Sequence, residues 1–303
     1  MSAVPLPIKF QIGARTLLTI ERRLVRLPLS LADALSGAPP LLPALPPGAH
    51  GYAITSLPVV ASERLAMADP ATFGFVRQRY TRRYTGLTGG FEAFFAGLSS
   101  NARSAAKRKA RRLAEHSGGA LDVRRFRTPD ELAQFHPVAR ALAERTYQQR
   151  LMGAGLPADD RFVTGMYEAA AAGRVRAWLL YVAGAPAAYL YCPVEGGTVR
   201  YDYVGHAPEY AELSPGAVLQ IEAFRDLFAE GSLCLFDFTE GDGQHKRQFA
   251  SGGVDCVDLL LLRRTVGNAA TVAALSVFDQ TMAIAKRATA QLGLEALARR
   301  LRR

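Results

Sequence analysis

Between Gly173 and Leu262, glycine stands at nearly every point where the hydrophobic pattern changes, and this punctuation limits the fold more than any other property of the chain. Arg174 to Ala183 reads as a strand, Gly184-Ala185 as a turn and Pro186 to Val194 as the returning strand. Gly196-Gly197 turns the chain again into a third strand, Thr198 to Val204. A polar loop, His206 to Pro215, leads to a helix from Gly216 to Glu230, which Gly231 ends. Leu233 to Phe238 reads as a buried strand and Thr239 to Gly243 as a polar loop, followed by a short helix and a last strand, Val254 to Leu262. Strands this apolar need helices to cover them. With 49% hydrophobic and 21% charged residues among 303, the chain can build that core. The expected class is α/β (α+β).

Upstream the period changes twice. Ile8 to Leu27 alternates around Gly13-Ala14 as a hairpin, and a proline-dense loop follows (Pro39, Pro40, Pro43, Pro46, Pro47). Gly51 to Val60 and Phe73 to Tyr84 read as extended, with a short helix over Ser62 to Met67. From Gly90, Phe91, Phe94, Phe95 and Leu98 fall at helical spacing, and Ser99-Ser100-Asn101 caps a strongly basic helix running to Leu113. After Gly118-Gly119 comes a short strand, Leu121 to Arg127. Helices follow from Thr128 to about Arg150 and from Ala158 to Ala172, and Asn268 to Arg303 reads as one or two more.

Charge and motif spacing exclude several classes. No run of 18 uncharged apolar residues is present, and the first thirty residues have no continuous apolar segment before a cleavage site, so the expected compartment is the cytoplasm. Cys192, Cys234 and Cys256 form no CxxC pair and sit among apolar neighbours, and the five histidines show no ligand spacing, so no metal is expected. The net charge of +10 is concentrated. Arg103, Lys107, Arg108, Lys109, Arg111 and Arg112 crowd one helix without an acid, and the last eighteen residues hold six cations against Glu295. Such patches attract phosphates, nucleic acid or anionic lipid, unless they are simply solvated helix faces.

One junction has the makings of a site. Ser214-Pro215-Gly216-Ala217-Val218 opens the long helix after the third strand. Gly216 permits close backbone approach, and the free N–H groups of a first helical turn face outward at the positive end of the dipole, where an anion binds.

The order of elements around this junction resembles the GNAT acyltransferase fold. The segments RVRAWLLYVAGAPAAYLY, YDYVGHAPEYAELSPGAVLQIEAFRDLFAEG and LFDFTEGDGQHKRQFAS, with FEAFFAGLSSNARSAAKRKARRL before them, are similar to the CelD-like, cellulose-biosynthesis-type (BioF2-like) branch of that superfamily. That branch is in turn related to the Fem-type aminoacyl ligases, which carry two GNAT-like units in tandem. The likeness covers about residues 73 to 262. It implies acetyl-CoA, or another acyl-CoA, as co-substrate, with its pyrophosphate at Ser214, Pro215, Gly216, Ala217 and Val218. It implies Lys246 at the reaction centre, stabilising negative charge. Relatives usually carry tyrosine just before that lysine, and this chain has His245 there, which could act as acid to a leaving thiolate or shape the acceptor pocket.

Other candidates come from the residues themselves. Glu240 and Asp242, in the loop after Phe238, could take the acceptor's proton or be a polar turn. Asp237, between Phe236 and Phe238 in a buried strand, is either a charged group in the cleft or a paired structural one, and Asp202 beside Tyr203 invites the same argument as part of the substrate site.

The expected organisation is a degenerate N-terminal GNAT-like unit over residues 1–115 ending in the basic helix, a catalytic GNAT domain over 116–265 and a basic helical tail over 266–303. The first functional expectation is an N-acyltransferase acting on an amino sugar or a polysaccharide-linked amine. The alternatives are a Fem-type ligase using aminoacyl-tRNA, or a non-catalytic basic module on the same scaffold. In the tail, Leu294, Leu297 and Leu301 share a helical face ahead of Arg299, Arg300, Arg302 and Arg303. That face either docks on the domain or rests on the inner membrane surface, beside polysaccharide synthase machinery.

Overall fold

In the computed structural model, which describes residues 2–12, 15–145, 155–241 and 243–291, the chain divides into two units, Met1–Thr81 with Val254–Arg303, and Arg82–Gly253. Elements are numbered along the chain. The first unit contains β1 (Val4–Ile12) and β2 (Arg15–Pro28), the expected hairpin, with Ile8 opposite Ile20. Helix α1 (Leu31–Ser36) begins at a capping box in which Ser30 and Asp33 satisfy each other's backbone. Next come β3 (Gly51–Pro58), α2 (Val59–Met67) and β4 (Thr72–Gly86), whose residues to Thr81 belong here. β11 (Gly252–Arg263) returns from far along the chain to lie between β3 and β4, giving the order β1-β2-β3-β11-β4. Helix α9 (Val266–Gln291) covers β1, with Leu275 buried among Ile8 and Phe10, and Phe278 edge-on to Phe10 at 5.4 Å.

The second unit holds α3 (Phe91–Gly97), α4 (Ser100–Glu115), β5 (Asp122–Phe126), α5 (Pro129–Arg145), α6 (Asp160–Ala171), β6 (Val175–Val182), β7 (Ala185–Glu195), β8 (Thr198–Arg200), β9 (Tyr203–His206), α7 (Pro215–Glu230), β10 (Leu235–Asp237) and α8 (Gln244–Phe249). Its sheet runs from the end of β4 through β10, β8, β7 and β6 to β5, with β9 also on β7. Alternate side chains of β6 serve opposite cores. Trp178 and Leu180 pack with α3, α4 and α7, while Ala177 and Leu179 pack with α5 and α6. Each face of the sheet is therefore roofed by helices, as its apolar strands require.

The C-terminal end of α7 is tied down by charge. Asp226, 7% exposed, accepts from Trp178 Nε1 at 3.0 Å and Arg127 at 2.8 Å, and forms an ion pair with Arg125 at 3.1 Å. Glu230 pairs with Arg127 at 2.8 Å and with Arg176. These bonds hold the Glu230 carboxyl below its ordinary pKa, through the Arg176 hydrogen bond first.

The structure departs from the sequence reading in three places. The strand expected over Thr198 to Val204 is two strands. After Arg200 the chain kinks, with Asp202 N donating to Arg200 O at 3.1 Å, so β8 lies parallel to β10 while β9 pairs with β7 alone. The boundary expected at residue 115 falls instead near 81, because α4 buries Ala102 and Leu113 in one core with Trp178 and Phe224. The boundary expected at 265 also dissolves, since α9 packs in the first unit. Leu294, Leu297, Leu301 and the terminal arginines lie outside the described residues.

Candidate active site

The kink after Arg200 opens the sheet. The parallel pairing of β8 with β10 ends where Tyr201 N donates to Asp237 O at 2.9 Å. Beyond that point β9 follows β7, and the other chain turns away through Phe238 N, which donates to Arg83 O at 3.0 Å. In an unbroken strand Tyr201 and Tyr203 would share a face. Here they part: Tyr201 packs in the α7 core beside Phe236 and Phe238 at 5.8 and 6.0 Å, and Tyr203 joins the α5–α6 core.

On the α7 side lies a cavity of ≈ 300 Å³ lined by Ala105, Ala106 and Lys109 of α4, Ala217 and Val218 of α7, and Gln244, His245, Gln248 and Phe249 of α8. Two parts of the expected site, the helix junction and the histidine, thus meet in one space that, among the described residues, no carboxylate lines. The junction is shaped by Ser214, a non-glycine residue at φ 55° and ψ 48°, with Pro215 fixing the first helical position. The first-turn amides are less available than the sequence suggests. Ala217 N and Val218 N donate to Ser214 O at 3.1 and 3.3 Å, and Pro215 has no N–H. Among the described residues Gly216 N–H finds no acceptor within the protein. A Cβ on Gly216 would meet nothing within 4 Å, so the space beside it is open to a ligand.

His245 is exposed as a residue, yet its ring lies 5.8 Å from that of Tyr201. Gly243 makes this placement possible: a Cβ there would stand 2.8 Å from His245 Cε1. Loss of solvent and then the neighbouring Lys246 charge push the imidazole below its ordinary pKa, so it is neutral at pH 7. Burial raises the Tyr201 phenol strongly.

The loop between β10 and α8 is held from both ends. Asp237 is fully buried and paired with Arg82, which donates from Nε at 3.1 Å and Nη2 at 2.5 Å, and Thr239 N–H donates to the same carboxylate at 2.8 Å. Of the two readings of Asp237 the geometry gives the paired one. Thr239 has φ 59°, so the buried carboxylate fixes a strained turn. Lys246 Nζ donates to the carbonyl of Glu240, whose side chain is exposed. Asp242 lies outside the described residues.

Asp202 and Tyr203 belong to a different pocket, of ≈ 460 Å³, on the α5–α6 side. It is walled by Phe162, Met166, Tyr191 and Tyr203, and Phe162 stands edge-on to Tyr203 at 5.5 Å. Arg200 donates to Asp202 at 2.9 Å, but burial outweighs it and raises the carboxyl pKa. Sequence reasoning missed Arg82, the partner of Asp237. It counted Lys109 only as one of a basic cluster, although Ala102, Ala106, Lys109 and Leu113 recur at helical spacing, which sets this cation on the apolar stripe of α4.

A GNAT-like fold is thus defined by the splayed strands, the helix that follows them and the roofed sheet. Residues 100–247 match the model of the acetyltransferase (GNAT) domain family. Solved structures are similar to this chain at low identity. The C-terminal domain of a protein described as a lysylphosphatidylglycerol synthetase from Agrobacterium fabrum is 13% identical, with a TM-score of 0.51 over 77% of this chain and 72% of that one. The L-PGS of Bacillus licheniformis is 14% identical, with a TM-score of 0.46 over 74% and 71%. FemX is 11% identical, with a TM-score of 0.47 over 71% and 72%. No curated protein matches the sequence. The matched stretch begins at α4, inside the second unit. Among the described residues no group of three His, Cys, Asp or Glu side chains could hold a metal ion, and no helix is long and apolar enough to cross a membrane.

Proposed function

We propose that the second unit is an acyl-CoA-dependent N-acyltransferase acting on an amine acceptor, an amino sugar or a polysaccharide-linked amine, as the CelD-like character of its FDF-T-E-G segment suggests. The observation that carries this reading is the cavity shared by the first turn of α7 and His245, which no carboxylate among the described residues lines. The donor, when bound, would supply a thioester carbonyl open to attack by the amine. Gly216 offers its N–H and open space to a phosphate. Neutral His245 takes the proton the attacking amine must lose and returns it to the leaving sulfur. Lys246, set by the Glu240 carbonyl, places positive charge where the oxyanion develops. Asp202 and Tyr203 receive the acceptor in the aromatic pocket on the other face.

One observation favours a second reading. Lys107, Arg108, Arg111 and Arg112 on α4 are exposed, a surface suited to a polyanion such as the aminoacyl-tRNA of a Fem-type ligase. A thermal-shift titration decides between them. Acetyl-CoA at about 100 times its Kd should stabilise the protein by about 2.7 kcal/mol. No shift with acetyl-CoA, together with steeply salt-dependent tRNA binding, would replace the first reading with the second.

A further inference from the structure

We propose that Lys109 is the residue that recognises a phosphate of the donor and so gives the enzyme its preference for a phosphorylated acyl carrier; this rests on the acyl-CoA reading above. The cations of α4 are not equivalent. Arg103 donates to the carbonyls of Ala96 and Leu98, at 2.5 and 2.6 Å, and so braces the turn before its own helix. Lys107 stands 5.9 Å from the Phe95 ring, and Arg111 pairs with Glu115 at 3.8 Å. Arg108 and Arg112 are exposed. Lys109 alone of these lines the ≈ 300 Å³ cavity, half-buried, with Ala105 and Ala106 one turn before it keeping that wall low.

An ammonium on the apolar stripe of a helix loses hydration that something must replace. Nothing within the protein does so: among the described residues no carboxylate pairs with Lys109, and none lines the cavity. The polar groups facing the space from α8 are Gln244, Gln248 and His245, and the imidazole is neutral at pH 7. The cavity is therefore electropositive through one compact charge with three donors, which suits a phosphate oxygen as a point contact.

The test compares two donors, acetyl-CoA and S-acetylpantetheine, which has no phosphate. Lys109→Ala should raise the Kd for acetyl-CoA about tenfold at unchanged Tm, Lys109→Arg should recover most of the loss, and the penalty should vanish with S-acetylpantetheine. An equal penalty with both donors would show that Lys109 only shapes the cavity, and would overturn the proposal. So would unchanged acetyl-CoA affinity in Lys109→Ala while the wild type binds it. A wild type that binds no acetyl-CoA at all would instead sink the donor reading, and this proposal with it.

Discussion

The two ends of α7 are built on opposite plans. At the C-terminal end, Asp226 and Glu230 are paired with Trp178 and three arginines from β5, β6 and the residue after β5. At the N-terminal end Ser214 holds a left-handed backbone, Gly216 faces open space, and among the described residues no acid lines the adjoining cavity. One end satisfies its polar groups internally, whereas at the other, among the described residues, the Gly216 N–H is left without an acceptor. A helix anchored at one end can hold the other in a fixed position without using the ligand-facing groups to do it.

The contrast can be broken most severely at the anchored end. Asp226→Ala should destabilise the fold by about 2 kcal/mol, since it strands the buried Trp178 indole N–H and takes one of two carboxylates from Arg127. Chemical denaturation would measure this, and acetyl-CoA affinity of the folded fraction should not change. At the open end, Lys246→Ala should lower kcat about 100-fold with little effect on donor KM, the pattern of a group that acts on the transition state. Steady-state kinetics with KM rising and kcat intact would place Lys246 in binding instead. Gly216→Val should weaken acetyl-CoA binding about tenfold while leaving Tm nearly unchanged, because its Cβ would fill only ligand space; calorimetry reads the one and thermal melting the other.

The smallest effect at neutral pH is the titration of His245. Its pKa is depressed in the fold, so the neutral form persists to lower pH than in an unfolded chain. The kcat/KM profile should be flat at pH 7 and fall as pH drops through a midpoint below about 6.5. In His245→Phe that acidic limb should disappear along with much of the rate; an unchanged profile would remove the imidazole from the proton path.

Much of this was legible in the sequence because it is local. The antiparallel pair β1–β2, the glycine-ended α7 and the strands β6 and β7 follow from period and turn residues alone. The pairing of Asp237 with Arg82 spans 155 positions, and no local pattern encodes it. The kink at Asp202 was hidden for a different reason. The run TVRYDYV alternates as one strand should, and only the competition of β10 and β7 for the same segment splits it. Lys109 was visible as charge but not as position, because counting cations discards the phase of the helix. The unit boundary was misplaced because the basic character of α4 drew attention from the stripe that buries Ala102 and Leu113.

The kink at Asp202 also bears on how such a protein can change. Three consecutive residues are divided between the two sides of the sheet: Tyr201 with the α7 core, Tyr203 with the α5–α6 core, and Asp202 at the turn between them. On the proposed assignment, donor handling and acceptor choice are written on opposite surfaces by separate sets of side chains. Mutations in Phe162, Met166 or Tyr191 can then drift towards a new acceptor without touching the groups that handle the acyl carrier. A scaffold divided in this way can diversify its products while keeping one source of acyl groups.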